Sequence, residues 1–291
     1  MNLDSRISKI YMREFKDSTH KKNWTLLIPF AVVSLILVII PLLLIFIKAF
    51  LPADGATVAD NWTVINGFIW QKILTSFFIA LITTIVCILL AYPFAYFLST
   101  SKSKIFRTVI FFIATAPVWT SFLVKLVGLK TFFDICAGYD NSTFGHIWTI
   151  IGLIYLYLPF MIMPLYSVLN DMPKNLVYAS YDLGYGSFKT FLKITLPYTR
   201  VALASGITLV LLPSLTTVAV PQFLNNNNDG SMIGDIIVDQ GQAGLTSDIA
   251  LTRASTLSLI LCLVMLGGFG IYLIFQKVIW KRFKARRSSH E

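Results

Sequence analysis

"VYASYDLGYGSFKTFLKITLP", from Val177 to Pro197, interrupts an otherwise apolar part of the chain. Long apolar runs flank it, yet it is too short and too polar to cross a membrane. It carries Asp182, Lys189 and Lys193, and a Gly-Tyr-Gly break at Gly184–Gly186. Leu176, Ala179 and Leu183 recur at helical spacing and predict a short helix with one apolar face. Gly184 can take the left-handed conformation that ends such a helix. Ser187 is placed to cap a second helix, whose apolar face is Phe188, Phe191 and Leu192. Pro197 then marks a bend into the next apolar run. The pattern is a helical hairpin. It fits a lever gripped by a partner, and it fits equally a helix that rests its apolar face in lipid.

The rest of the chain explains why such a hairpin sits here. Of 291 residues, 56% are hydrophobic and 13% charged, about half the charged share of a soluble domain. A bilayer core needs about 20 mostly apolar residues per helix. Six stretches meet that length: Trp24–Ile47, Ile73–Leu98, Val109–Leu126, Ile147–Leu169, Val201–Leu224 and Ala254–Phe275. The fold class is therefore an all-α polytopic membrane protein with six transmembrane helices. The first run is too long for a cleaved signal peptide, and no small-x-small cleavage site follows it.

Lys and Arg set the orientation. Residues 1–23, the segments at Lys102, Lys104 and Arg107 and at Lys174, Lys189, Lys193 and Arg200, and the end of the chain carry nineteen of them. The alternate segments carry five: Lys48, Lys72, Lys125, Lys130 and Arg253. This asymmetry predicts cytoplasmic N and C termini and a cytoplasmic hairpin. It also accounts for the net charge of +10 without any nucleic acid. Three parts are expected: a basic amphipathic segment at 1–23, a six-span domain at 24–280 and a basic tail at 281–291. Within the domain, the hairpin loop spans about 170–200 and an external loop about 223–253. Leu3, Ile7, Ile10 and Tyr11 give the first segment an apolar face suited to the anionic inner surface of a lipid bilayer.

Several function classes find no support. Cys87, Cys136 and Cys262 form no disulfide or metal spacing, and His20, His146 and His290 are scattered. No phosphate-binding G-x-x-x-x-G-K-[ST] loop occurs, so ATP must be hydrolysed elsewhere. An intramembrane enzyme would need buried ionisable groups, and the spans hold no paired carboxylate. No catalytic residue and no bound cofactor or metal is expected. A structural membrane protein would not need the hairpin.

The hairpin resembles the "EAA" motif of ABC importer permeases with the MetI-like fold. Tyr178-Ala179-Ser180 stands in the first triplet, followed at the family's spacing by Gly184, Ile194 and Leu196-Pro197. Asp182, Leu183 and Phe191 also match. Tyr178 replaces the usual Glu and Ser180 an Ala. "AYPFAYFLS" (Ala91–Ser99), "APVWTSFLVKLVGLK" (Ala116–Lys130), "YLYLPFMIMPLYSVL" (Tyr155–Leu169) and "PQFLNNNNDGSMIGDII" (Pro221–Ile237) are similar to spermidine/putrescine permeases of the PotB type. The family also includes permeases for ferric iron, thiamine and oxyanions.

The resemblance implies a multi-pass protein of the bacterial cytoplasmic membrane whose hairpin docks on an ATPase subunit. It implies three partners: a second permease (PotC type), an ATPase homodimer (PotA type) that binds ATP and Mg, and an external substrate-binding protein (PotD type).

A polyamine path needs carboxylates or aromatic faces to replace lost water. Trp119, two residues after Pro117 in the third run, is the leading candidate, with Tyr92, Tyr96, Tyr155 and Tyr157; a lipid-facing or packing role is the alternative for each. Tyr155 and Tyr157 cannot share a helix face. Relatives often carry Arg where Lys125 stands, and many carry an acidic residue near Thr216-Thr217. Pro159 and Pro164 are expected to break the fourth run and Pro213 the fifth. Asp229, Asp235, Asp239 and Asp248 fit a cation-attracting mouth, a solvated loop or a docking surface for a binding protein.

Overall fold

The computed structural model describes residues 28–53, 55, 57–137, 145–224 and 232–288, with side chains through residue 270. The basic segment 1–23, the side chains of the tail and the tip of the external loop, Asp229 included, lie outside the described residues.

Eleven helices follow in order. They are α1 (Ile28–Phe50), α2 (Val58–Trp62), α3 (Gly67–Thr100), α4 (Lys104–Trp119) and α5 (Phe122–Ala137). Next come α6 (Gly145–Asn170), α7 (Lys174–Asp182) and α8 (Ser187–Thr216). The last are α9 (Ala219–Leu224), α10 (Ile233–Ala243) and α11 (Asp248–Ser288). Among the described residues, α1, α3, α6, α8 and α11 are long and apolar enough to cross a membrane, and α4 with α5 makes a sixth, bent span. The chain is a multi-pass helical membrane protein.

The third run is bent beside Pro117, where a proline can kink a helix, and more sharply than a kink within one helix. It is not one helix over Val109–Leu126. α4 ends at Trp119, and α5 leaves at a bend of 99°. Pro117 has no N–H, and its carbonyl, at the end of α4, accepts the Thr120 N–H at 3.4 Å together with two side-chain donors. Thr120 Oγ1 donates to it at 3.0 Å and Lys125 Nζ at 2.8 Å. These donors satisfy a backbone group that hydrocarbon would leave unpaired, which permits the break.

The other prolines act differently from the expectation. Pro159 and Pro164 lie inside an unbroken α6. Pro213 lies inside α8, whose break comes later, at the extended Thr217. Nor does Pro197 bend the chain. A π-helical turn over Phe191–Thr195 runs directly into it, and the wider turn accommodates the ring that an α-helix would clash with. The second arm of the hairpin is thus the start of α8.

α3, α6 and α8 form the centre. Cys87, Ala91, Tyr92 and Ala95 of α3 pack with Met161, Ile162, Leu165 and Leu169 of α6 and with Ala202 and Val210 of α8. The alanines let backbones approach, which is how helices gain contact where lipid offers no hydrophobic drive. Hydroxyls buried between helices donate to their own helix: Thr84 to the Ala80 carbonyl at 2.7 Å, Ser214 to that of Val210 at 2.6 Å. α1 stands at the periphery, most of its surface exposed. Its end is held by an ion pair from Lys48 to Asp248 on α11 at 2.9 Å. The Asn61 amide caps it by donating to the Leu51 carbonyl at 2.7 Å.

Candidate coupling hairpin and substrate path

The hairpin turns where the sequence indicates. α7 ends at Leu183, and Gly184 has φ +77°, a conformation that costs a residue with a β-carbon. Tyr185 N–H donates to the Ser180 carbonyl at 3.0 Å and Gly184 N–H to that of Tyr181 at 2.8 Å, the paired closure of a Schellman turn. Gly186, not Ser187, occupies the cap position of the second arm; Ser187 is already helical.

The two arms are locked from inside. The Ser180 and Thr190 hydroxyls lie 2.8 Å apart, and the residues are 2% and 1% exposed. Lys193 Nζ sits over the Tyr185 ring at 4.8 Å, tying the turn to the π-helical segment. Beside Thr190, Phe191 stacks edge-on against Tyr92 and Tyr96 of α3, with ring centroids 5.1 and 6.1 Å away. The Tyr92 hydroxyl in turn lies 2.6 Å from Thr199 Oγ1. No local sequence feature marks the Ser180–Thr190 pair. The aromatic trio spans a hundred residues and is equally silent in one dimension.

Of the apolar faces expected on the hairpin, Phe191 turns inward, and the rest point outward. Leu176, Tyr178, Tyr181, Leu183 and Phe188 are exposed, Leu183 at 75% and Phe188 at 74%. Ala179 and Asp182 are exposed with them, as is Pro197, while Ile194 and Leu196 are partly buried at the root of α8.

The path candidates divide. Trp119 ends α4 at the 99° bend and is 76% exposed. Tyr155 is exposed at 40%. Tyr157 packs partly buried among the core residues, so the two tyrosines do face apart. Tyr92 is buried in the core against Phe191 and Thr199. The structure does not bring Trp119 and Tyr92 together.

The external carboxylates also divide. Asp239 is exposed, and Asp248 pairs with Lys48. Asp235 is only 4% exposed. One of its oxygens accepts the Met232 N–H at 2.9 Å and so caps α10. The other is buried without a hydrogen bond. Burial pushes its carboxyl up to about 6, opposed by the Met232 hydrogen bond, with nearby Asp239 raising it further and Lys72 lowering it. The first turn of α10 is wedged against the end of α8. A β-carbon on Gly234 would lie 2.9 Å from the Thr216 carbonyl oxygen and 3.0 Å from that of Thr217. Ile233 N–H donates to Ser76 of α3 at 2.9 Å. The Met-Ile-Gly-Asp stretch is therefore a buried plug between α3 and α8 and not a solvated loop.

Comparison with known proteins places this geometry. Residues 87–285 match the family described as binding-protein-dependent transport system inner membrane component. A spermidine/putrescine transport system permease protein PotB homolog of Mycoplasma genitalium is 38% identical over 268 residues, covering 89% of this chain and 94% of that protein. The spermidine/putrescine transport system permease protein PotB of Escherichia coli is 34% identical over 221 residues, covering 69% and 79%. Among solved structures, a bacterial ABC transporter involved in the import of alginate superposes with a TM-score of 0.61 at 17% identity, covering 90% of this chain and 96% of that one. The MetNI methionine ABC transporter gives 0.56 at 19% identity, covering 72% and 96%. The family match over residues 87–285 and the relatives at 34–38% identity identify the chain: it is a member of the family of inner-membrane components of binding-protein-dependent ABC transport systems.

Proposed function

We propose that this chain is one of two permease subunits of an ATP-driven importer for spermidine or putrescine in a bacterial cytoplasmic membrane. Both termini and the hairpin face the cytoplasm, as the distribution of Lys and Arg requires. An ATPase homodimer of the PotA type binds ATP and Mg and grips the hairpin. A second permease of the PotC type completes the path, and a PotD-type binding protein delivers substrate from outside. The observation that carries this reading is the hairpin itself. Its inner face is locked by buried hydroxyls, while Leu176, Tyr178, Tyr181, Leu183 and Phe188 present apolar surface outward. A partner groove would bury that surface and move a rigid body. The names of the relatives support the polyamine assignment.

The chain has no hydrolytic machinery in this scheme. Its own part is mechanical and electrostatic. Trp119 at the bend supplies an aromatic face that replaces water around a passing ammonium group. Exposed Asp239 draws the polycation toward the outer mouth. Tyr155, exposed on α6, offers a further aromatic face.

The test uses the whole complex in proteoliposomes. PotD-type protein loaded with spermidine or putrescine should stimulate ATP hydrolysis and uptake. Stimulation by a binding protein loaded with iron or thiamine, and not by one loaded with polyamine, refutes the substrate. Single cysteines at Lys189 and at the exposed Leu245, in a cysteine-free background, should label from inside and outside respectively. Labelling of both from one side refutes the orientation.

A further inference from the structure

We infer that Phe191 is a positioning residue that ties the hairpin to α3 as well as to α8, an inference that rests on the coupling role proposed above. Thr190 and Phe191 are adjacent on the helix, so their side chains point about 100° apart. Thr190 holds α7 through Ser180 at 2.8 Å. Phe191 reaches the other way, to two tyrosines one turn apart on α3. One turn of helix therefore bridges α7 and α8, which are consecutive, to α3, which lies about a hundred residues earlier in the chain.

The bridge is rigid where it matters. The Ser180 hydroxyl donates to the Val177 carbonyl at 2.8 Å, so Thr190 is the donor across the buried pair, and pulling it open would leave the Thr190 hydroxyl unpaired. Phe191 opens the π-helical turn Phe191–Thr195, a local geometry frequent at functional sites. The Tyr92 hydroxyl, 2.6 Å from Thr199 Oγ1, fixes the ring that Phe191 abuts. Movement of α7 is thus delivered at once to α8, through the chain and Thr190, and to α3, through an aromatic contact at the same level. Without Phe191, α7 would still swing with α8, and α3 would follow α8 through the Tyr92–Thr199 contact and core side chains such as Ala91 and Ala95, but its contact at the level of the Ser180–Thr190 lock would be lost.

The test compares Phe191→Ala, Phe191→Leu, Phe191→Tyr, Tyr92→Ala and the double alanine variant in the assembled complex. Pull-down of the ATPase, ATP hydrolysis and spermidine moved per ATP are measured. Phe191→Ala should keep ATPase binding and hydrolysis while spermidine per ATP falls roughly two- to tenfold, the size of an aromatic pair contact. Phe191→Tyr should restore most of it. The double variant should fall short of the sum of the two singles, since the Phe191–Tyr92 contact they share is removed only once, while the Phe191–Tyr96 and Tyr92–Thr199 contacts are lost separately. Should Phe191→Ala assemble poorly, Phe191→Leu keeps apolar volume and must still show the lower ratio. A wild-type ratio in Phe191→Leu and Phe191→Ala, or an additive double variant, overturns the inference and leaves the coupling role standing. Failure of the wild-type complex to bind an ATPase through the hairpin overturns both.

Discussion

Gly184 gives the sharpest test of the hairpin. Its φ is +77°, and no atom lies within 4 Å of where a β-carbon would sit. A substitution there meets no steric wall, so its effect is purely one of backbone. Holding an alanine in the left-handed region costs about 1–2 kcal/mol, a factor of about 5–30 in the population of the turned form. Two turn hydrogen bonds, at 2.8 and 3.0 Å, and the Ser180–Thr190 lock oppose that loss. Gly184→Ala should therefore lower the substrate moved per ATP only in part. Gly184→Asn should be milder, since Asn tolerates this region, and Gly184→Val the most severe, because a β-branched residue is a true outlier there. Membrane insertion should be unchanged in all three. The assay pairs ATPase pull-down with spermidine moved per ATP hydrolysed. Wild-type values for Gly184→Val in both would refute the lever and return the hairpin to a surface anchor.

Gly234→Ala sets a β-carbon against two backbone oxygens. It should destabilise by roughly 1–3 kcal/mol and lower the Tm, whereas Gly241→Ala, with open space around it, should leave the Tm unchanged or slightly raised. Asp235 carries a raised carboxyl at about 6 against an ordinary 3.8. Between those values the folded chain holds a proton that the unfolded chain has released, so stability falls as pH rises toward 6 and is flat above it. The fall is at most about 3 kcal/mol. Asp235→Asn keeps a carbonyl to accept the Met232 N–H and should flatten the Tm profile from pH 4 to 6; an unchanged slope would show that another group titrates. Trp119→Ala should reduce spermidine uptake several-fold, in line with about 0.5–2 kcal/mol for a cation over an aromatic ring, while Trp119→Phe retains more. Assembly should be intact, because the exposed side chain leaves no cavity. Normal uptake by the alanine variant would assign Trp119 to lipid.

Periodicity and charge in the sequence determined the membrane class, the apolar runs and the existence of the hairpin with its turn at Gly184. These depend on local properties: the length of an apolar run, the conformational freedom of glycine and the sign of charges between runs. The spacing Gly184, Ile194, Leu196-Pro197 also pointed to the family. What the sequence misjudged was proline. Pro159 and Pro164 look like breaks, yet α6 runs on through both, whereas Pro213, like Pro117, lies in the last turn of a helix that ends within three residues. At the break after Pro117, the Thr120 hydroxyl and Lys125 Nζ donate to its carbonyl beside the Thr120 N–H. Burial of Asp235 was likewise invisible, since an acidic stretch reads as solvated until Ser76 and the end of α8 are brought against it. Contacts such as Phe191 with Tyr92 join residues a hundred positions apart, and only the packing of α3, α6 and α8 sets which side chains share a level. Tertiary structure therefore decided which face of the hairpin is locked inward and which is free for a partner.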